Sequence, residues 1–276
     1  MIFKKFLMFA SRNATPRFTM EVKTDNTGTS NDDQFTIPVT AGTYLYDYTT
    51  SDGQSGTGIT GATTITFASG AGTYNIYITG TFPKVYFNNA GDNLKLLRVL
   101  EWGSYGEGIT DHTNTFFGCS NLTTLGNDVT NINNVTIGSN MFRNTGLTSL
   151  PSGLTLASLT NGNLMFRDSS LTSLPSGMTL ASLTNGNLMF FGNSLTDLPS
   201  GITLSGLTLG GSMFVGSTIG TTRYSQLLVD LESGNPNNSV TFHGGSSLYN
   251  AAGKVARDIL TGVGRTWTIT DGGLEP

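Results

Sequence analysis

The sequence predicts a mainly β protein with an N-terminal β-sandwich, a solenoid of stacked coils and a small α/β cap. The chain of 276 residues contains 43 threonines and 36 glycines, which favour strands and the turns between them. A block of 24 residues occurs three times in succession between positions 143 and 214. A fixed period of this length indicates units that bury one another's apolar faces. The period stops near residue 222, where helical spacing of apolar residues begins.

The blocks are residues 143–166, 167–190 and 191–214. The first two are identical at 20 of 24 positions, and the third keeps 14 of 24. We expect apolar residues one period apart to form buried columns, since burying one Leu or Phe stabilises a fold by roughly 1.5–3 kcal/mol. The predicted core residues are Leu147, Leu150, Phe166, Leu171, Leu174, Phe190, Leu195, Leu198 and Phe214.

We divide the chain into four predicted parts. Residues 1–17 form a basic amphipathic anchor segment, and residues 18–87 form the sandwich, in which alternating apolar runs are separated by Gly, Asn and Asp turns. Residues 88–221 form the solenoid and residues 222–276 the α/β cap, because a stack of repeats needs a different terminal unit to cover its open end.

The N-terminal segment combines charge with an apolar stripe. The first 20 residues carry four basic residues and no acid, although the whole chain has a net charge of −4. The apolar run after the lysines is shorter than that of a signal peptide. We expect the stripe to pack on the chain's own β-domain or into a neighbouring subunit, with contact to a membrane surface as the third alternative. The candidate anchoring residues are Ile2, Phe3, Lys4, Lys5, Phe6 and Leu7.

Two helices and two short strands are expected in the cap. Thr222 and Ser247 are the predicted caps of the helices, because apolar residues follow each at helical spacing. The predicted buried stripe of the second helix contains Leu248, Ala252, Val255, Ala256 and Ile259.

Two resemblances refine this prediction. The run Tyr44–Tyr48, the turn Ser51-Asp52-Gly53 and the strands near 65–68 and 72–76 resemble the immunoglobulin-like PKD pattern. That resemblance implies a spacer or adhesive module.

The sequence FFGCSNLTTL at 116–125 and the later MF…LTxLPSG blocks resemble the BspA-like leucine-rich-repeat proteins of bacterial surfaces and bacteriophage particles. Residues 265–273 resemble the tail of such proteins carried by phages. The resemblances imply an Ig-like β-sandwich, a leucine-rich-repeat solenoid with a 24-residue period and an α/β C-terminal cap.

Few residues are suited to catalysis. Only 12% of residues are charged and only two are histidines. Asp111 and His112 are the best pair for proton transfer, although such a pair in a polar turn is usually a solvated loop. Glycoside hydrolysis needs two carboxylates about 5–9.5 Å apart, and Asp168 and Asp197 occupy different repeat positions. We therefore expect no enzymatic activity and no catalytic residues.

No cofactor is expected, with one alternative. Oxygen ligands in the sandwich loops could bind Ca²⁺, the candidates being Asp25, Asn26, Asn31, Asp32 and Asp33. The single cysteine, Cys119, excludes an intrachain disulfide. The negative net charge argues against nucleic acid as a partner, and no stretch reaches the about 20 apolar residues of a membrane span.

The sequence and the resemblances together predict a non-enzymatic protein on the surface of a bacteriophage virion. It would attach to other virion structural proteins through its N-terminal part, in several copies, and present its repeats to a host glycan or protein. The alternatives are a purely structural capsid or tail decoration protein and a bacterial cell-surface adhesin.

Overall fold

A computed structural model describes residues 16–276. The candidate anchoring residues Ile2, Phe3, Lys4, Lys5, Phe6 and Leu7 therefore lie outside the described residues. Arg17, at the end of the predicted anchor segment, belongs to the folded part. It pairs with Glu101 (Nε–Oε2 2.7 Å) and stacks on the ring of Tyr77 at 4.4 Å.

The N-terminal unit contains one five-stranded antiparallel sheet and a separate two-stranded one. The large sheet has the order β4-β3-β6-β1-β7. Its strands are β1 (Phe18–Lys23), β3 (Leu45–Thr50), β4 (Ser55–Ile59), β6 (Thr73–Thr81) and β7 (Leu96–Glu101). The small sheet pairs β2 (Gln34–Ile37) with β5 (Thr63–Thr66). Phe67, which follows β5, stacks on Tyr74 of β6 at 4.1 Å.

Strand β7 joins this sheet to the repeats. It pairs with β1 on one side. On the other side Val99 donates its amide to the carbonyl of Thr124 (3.1 Å), and Thr123 donates to the carbonyl of Leu97 (3.0 Å). The first repeat turn is thus hydrogen-bonded to the edge of the sheet.

Beyond the sheet, residues one block apart lie directly over one another. We call residues 111–220 the repeat column and each of its units a coil. Parallel single-residue bridges connect successive coils, at Asp111–Ile137, Ile137–Asn161, Asn161–Asn185 and Asn185–Leu209. Inside, the rings of Phe142, Phe166 and Phe190 stack in sequence at 5.6 Å per step, with interplanar angles of 9° and 2°.

A glycine of each coil packs against a methionine of the next coil. A Cβ at Gly162 would lie 2.9 Å from the Sδ of Met189, one coil further along, and Gly138 has the same relation to Met165. The methionines at this position are fully buried. The recurring glycine therefore makes room for the methionine of the next coil, and the methionines fill the core.

A second buried position is polar. Cys119 starts this column, which continues through Thr145, Ser169, Asn193 and Ser217. Ser169 donates its hydroxyl to the carbonyl of Phe142 (2.9 Å), and Asn193 accepts the amide of Leu171 (2.9 Å). These side chains satisfy backbone groups of the turns, which burial would otherwise leave unpaired.

The C-terminal unit continues the column. Strands β8 (Leu209–Gly210), β9 (Thr241–His243) and β11 (Thr268–Thr270) form a parallel sheet in the order β11-β9-β8. A further parallel pair joins β10 (Leu248–Tyr249) to β12 (Gly273–Leu274). Helices α1 (Thr221–Gly234) and α2 (Ala251–Thr261) pack on each other.

The predicted stripe of the second helix is wrong in part. Val255 and Ile259 are 62% and 47% exposed, whereas Ala256 and Leu260 face inward. The helix begins after Asn250, whose side chain accepts the amides of Ala252 and Gly253. Ser247, the predicted cap, instead accepts the amide of Ile219 (2.8 Å).

The predicted fold class is also wrong. Only 22% of the described residues are in strands, which form small sheets, and 12% are in helices, with two α-helices. This strand content is too low for the mainly β protein that the sequence predicted. Within the repeat column the only strand is the two-residue β8, whereas a leucine-rich-repeat solenoid requires a strand from every coil. The second layer of the predicted Ig-like β-sandwich has only two strands. Strand β7 lies beyond the predicted sandwich boundary at residue 87 yet belongs to the first sheet.

The backbone gives the reason for the missing strands. Three residues after each bridge the chain enters the left-handed region, with φ of +54° at Asn140, +61° at Leu164 and +57° at Leu188. Extended pairing cannot continue through such a residue. Each coil therefore makes one bridge and then turns, which leaves most of the repeat column in turns.

A buried carboxylate orders the loop before β2. Asp92 is 2% exposed and accepts the amides of Thr29 (2.9 Å), Ser30 (3.0 Å) and Thr36 (2.7 Å). Burial alone would raise the pKa of Asp92, but the hydrogen bonds from Ser30 and Thr36 and the charge of Lys95 together hold it below its usual value. Asp92 therefore stabilises the fold above the pKa of an unfolded Asp, and this contribution is lost as pH falls through the lower folded pKa.

The phenylalanine column yields a stability prediction. Phe166→Ala should lower the free energy of unfolding by about 3–5 kcal/mol, because it removes a fully buried ring stacked on both sides. Ser176→Ala, at an exposed position of the next coil, is the control and should change it by less than about 0.5 kcal/mol. Denaturant unfolding measures both. Equal losses would contradict the stacked core.

Asp92 yields a pH prediction. Asp92→Asn should cost about 1–3 kcal/mol near neutral pH, because the amide replaces a charged acceptor of three backbone amides. The difference in free energy of unfolding between this variant and the unmodified chain should become smaller below about pH 4, where Asp92 begins to be protonated in the unfolded chain. Unfolding curves across this pH range measure it, with exposed Asp32→Asn as the control. A difference in stability that does not change with pH would refute the role of the charged Asp92 carboxylate.

Candidate binding surface

The coils share a corner with the sequence Leu-Pro-Ser. After each proline the chain reverses, and the carbonyls of Pro151, Pro175 and Pro199 accept amides three residues later at 3.0, 3.0 and 3.1 Å. The proline fixes the backbone for such a turn. The serine and glycine that follow it are exposed in every coil.

Grooves run between successive coils at this corner, which we call the corner grooves. One has a volume of about 270 Å³, and another, two coils further along, has about 230 Å³. The first is lined by Thr123, Thr124, Leu125, Asn127, Ser149, Leu150, Pro151 and Ser152. The second is lined by Ser173, Leu174, Ser176, Asp197, Leu198 and Pro199. The period of the sequence thus produces similar grooves along one edge.

The lining combines hydroxyl groups with a partly exposed leucine. Leu150 and Leu174 are half-buried and line the grooves together with exposed serines. The carboxylate of Asp197 accepts the amide of Leu198 (2.8 Å). A lining of apolar and hydroxyl side chains can contact both the ring face and the hydroxyl groups of a sugar.

Helix α1 marks the end of this series. Arg223 donates to the carbonyls of Leu198 (3.1 Å) and Pro199 (2.5 Å). Arg223 is also 3.8 Å from the carboxylate of Asp230. The backbone edge of the last corner is therefore covered by a side chain of the cap.

A threonine ladder runs along another edge of the coils. Thr160, Thr184 and Thr208 each donate the hydroxyl to the backbone carbonyl of the threonine one coil earlier, at 2.9 Å in every case. Because each hydroxyl hydrogen is used in this way, the ladder presents fixed oxygen acceptors to solvent.

The predicted core residues fall into two groups. Leu147, Leu171 and Leu195 are 0% exposed, and Phe166, Phe190 and Phe214 are equally buried or nearly so. Leu198 is also buried, whereas Leu150 and Leu174 are only partly buried. The two partly buried leucines belong to the corner grooves as well as to the core.

The candidate proton-transfer pair is not brought together. Asp111 is exposed, and its carboxylate accepts the amide of Thr113 (2.8 Å). His112 is 0% exposed and lies beside the ring of Tyr105, and neither of its ring nitrogens has a hydrogen-bond partner among the described residues. Burial lowers the pKa of His112 to about 4, so the neutral imidazole is the stable form inside the core.

The other candidate acids each have a structural partner. Asp168 pairs with Arg167 at 3.0 Å, and Asp128 accepts the amides of Trp102 and Gly103. His243 accepts the amide of Gly245 on Nδ1 (3.1 Å). Burial raises the pKa of the Cys119 thiol, which disfavours the reactive thiolate.

A lysine occupies the loop considered for calcium. Lys95 is 0% exposed, and its Nζ donates to the carbonyls of Ser30 (3.0 Å), Asn31 (2.8 Å) and Gln34 (3.0 Å). These oxygens are the kind that Ca²⁺ prefers, but the ammonium already satisfies them. Asp25 pairs instead with Lys23 at 2.7 Å.

Within residues 16–276, no three His, Cys, Asp or Glu side chains lie close enough to hold a metal ion. In the same part of the chain, no helix has the length and apolarity needed to cross a bilayer.

Sequence reasoning missed the corner grooves and a cleft at the junction. The cleft, about 320 Å³ in volume, is lined by Gly80, Thr81, Phe82, Pro83, Ser104 and Glu107. The grooves had a signal in the sequence, because LPSG recurs with an apolar residue flanked by serines. No pattern in the sequence indicated the cleft, because its residues come from two separate segments without a shared motif.

Comparisons with known proteins identified no relative of this chain. No family model, no curated protein and no solved structure matches the chain.

Proposed function

We propose that this chain is a non-enzymatic surface protein of a bacteriophage particle. It attaches to other virion proteins through its N-terminal part and presents the corner grooves to a glycan on the host surface. The observation that carries the proposal is the recurrence of a hydroxyl-lined groove at the same corner two coils further along. The virion location follows from the resemblance of the repeats and the C-terminal tail.

The groove dimensions favour repeated weak binding. Each corner groove is smaller than the about 300–1,000 Å³ of an enclosed small-molecule site. A polymer of sugars can occupy several grooves at once, and linked weak contacts raise the overall affinity by orders of magnitude. Several copies on one particle would multiply the effect again.

The distribution of acids favours binding over catalysis. Asp197 is the one carboxylate among the residues that line the two corner grooves, whereas glycoside hydrolysis uses two. Asp168 is held by Arg167. The surface therefore suits recognition of hydroxyl groups rather than bond cleavage.

The grooves yield a binding prediction. The double variant Ser152→Gln, Ser176→Gln should lose most host-cell binding, because the longer side chains fill two grooves. Ser158→Gln, Ser182→Gln is the matched control, since these exposed serines occupy another position of the same coils. Adsorption of the purified labelled protein to host cells measures the loss.

Equal binding by both double variants and the unmodified chain would reject the grooves as the binding surface. If particles lacking the protein adsorb normally but break more readily on heating, the chain is a structural decoration protein instead.

The N-terminal segment yields an incorporation prediction. Deleting residues 1–15 should abolish incorporation into particles while leaving the folded part intact, because Arg17 and its bond to Glu101 are retained. The control is Lys254→Gln, which removes a charge from the exposed face of α2. Protein content of purified particles measures incorporation. Normal incorporation after the deletion would refute the anchoring role.

A further inference from the structure

A different position of the repeat column carries two arginines between two phenylalanines. Phe117, Arg143, Arg167 and Phe191 occupy this position on four successive coils, each directly after a member of the buried phenylalanine column. All four are half-buried. We call them the arginine column.

Each guanidinium stacks on the phenylalanine at its own end. The Cζ of Arg143 lies 4.9 Å from the ring centroid of Phe117, and that of Arg167 lies 5.0 Å from the ring of Phe191. Each guanidinium therefore has a phenylalanine ring on one side of it along the column. Cation–π contact holds each guanidinium plane in place, so little freedom remains to be lost when a ligand binds.

The two arginines differ in their charge partners. Arg167 pairs with Asp168 (Nε–Oδ2 3.0 Å). Arg143 has no carboxylate partner within residues 16–276; its Nη1 is 3.3 Å from the amide oxygen of Asn140, and its buried Nε has no hydrogen-bond partner there. A cation without a direct ion pair to a described carboxylate is thus held at the surface of a chain with net charge −4.

We propose that the arginine column binds an acidic glycan, with Arg143 taking an oxyanion of the polymer and the edges of the two phenylalanines lying against its sugars. The proposal rests on the proposed function and specifies the class of glycan. A guanidinium presents paired donors that match a carboxylate or a phosphate. Uronate and phosphodiester glycopolymers offer the same oxyanion chemistry.

The geometry favours a polymer over a free anion. Arg143 and Arg167 lie on successive coils, so a chain running along the column can contact both and gain from each contact. The corner grooves begin six residues further along the same coils, at Ser149 and Ser173.

The test uses the full chain and three immobilised polymers: a polyuronate, a phosphodiester-linked glycopolymer and neutral dextran. The unmodified chain should bind at least one acidic polymer and not dextran, with binding that weakens as salt rises. The double variant R143Q, R167Q should bind the acidic polymer at least about tenfold more weakly. One charge-assisted hydrogen bond contributes at least about as much free energy as a tenfold change in affinity requires. Comparing the two acidic polymers identifies the source of the oxyanion.

K254Q is the matched control, because it removes one positive charge from an exposed site on the cap and should leave binding unchanged. R143K keeps the charge but loses the planar fork, and should bind with intermediate affinity. Thermal unfolding confirms that each variant is folded. Unchanged binding by R143Q, R167Q, an equal loss in K254Q, or no binding of either acidic polymer by the unmodified chain would overturn the proposal.

The groove variant Ser152→Gln, Ser176→Gln separates the two proposals. If the unmodified chain binds an acidic polymer through the arginines but does not adsorb to host cells, the proposed function fails and the acidic subsite stands. If host adsorption depends on the grooves and is unaffected by R143Q, R167Q, the subsite is rejected and the proposed function stands.

Discussion

Direct stacking of each coil on the next is the constraint on which the remaining structure depends. The rings of Phe142, Phe166 and Phe190 lie nearly parallel at 5.6 Å per step, and a methionine of one coil fills the space left by a glycine of the coil before, as Met189 does over Gly162. Both contacts require the coils to be in register. Any side chain at a given position therefore forms a column, whether it is buried phenylalanine, threonine hydroxyl or surface arginine.

A stack of parallel rings has two open faces, and both are closed by a ring set across the stack. At the first end Trp102 meets Phe116 at 5.8 Å with an interplanar angle of 84°. At the other end Phe242 of β9 meets Phe214 at 6.1 Å and 73°. An edge-to-face contact is favourable for aromatic rings but offers no parallel face for another coil. At the first end Tyr105 and Phe87 also contact Phe116, at 6.0 and 6.4 Å with tilted rings, so several aromatic rings enclose that end of the stack.

The period, the buried columns and the change at residue 222 could be predicted because they depend on apolar spacing alone. The fold class could not, because it depends on backbone angles that leucine rarely adopts: nothing in the sequence marks Leu164 or Leu188 as left-handed. The burial of Lys95 escaped prediction for a related reason, since a lysine is almost never fully buried without partners, and its three carbonyl acceptors lie more than 60 residues away. The exposed Val255 and Ile259 show that helical spacing identifies a stripe without identifying the side that is buried.

The small differences between otherwise identical coils determine where the surface carries charge. Blocks 143–166 and 167–190 differ at four positions, and one of these is Asn144 against Asp168. The aspartate neutralises Arg167, while the asparagine leaves Arg143 without a carboxylate. Because the coils are in register, this single exchange makes two stacked arginines chemically unequal and orients the charge along the column. If the column binds an acidic polymer as proposed, Arg143 would be the stronger of the two ionic contacts, because Arg167 already pairs with Asp168.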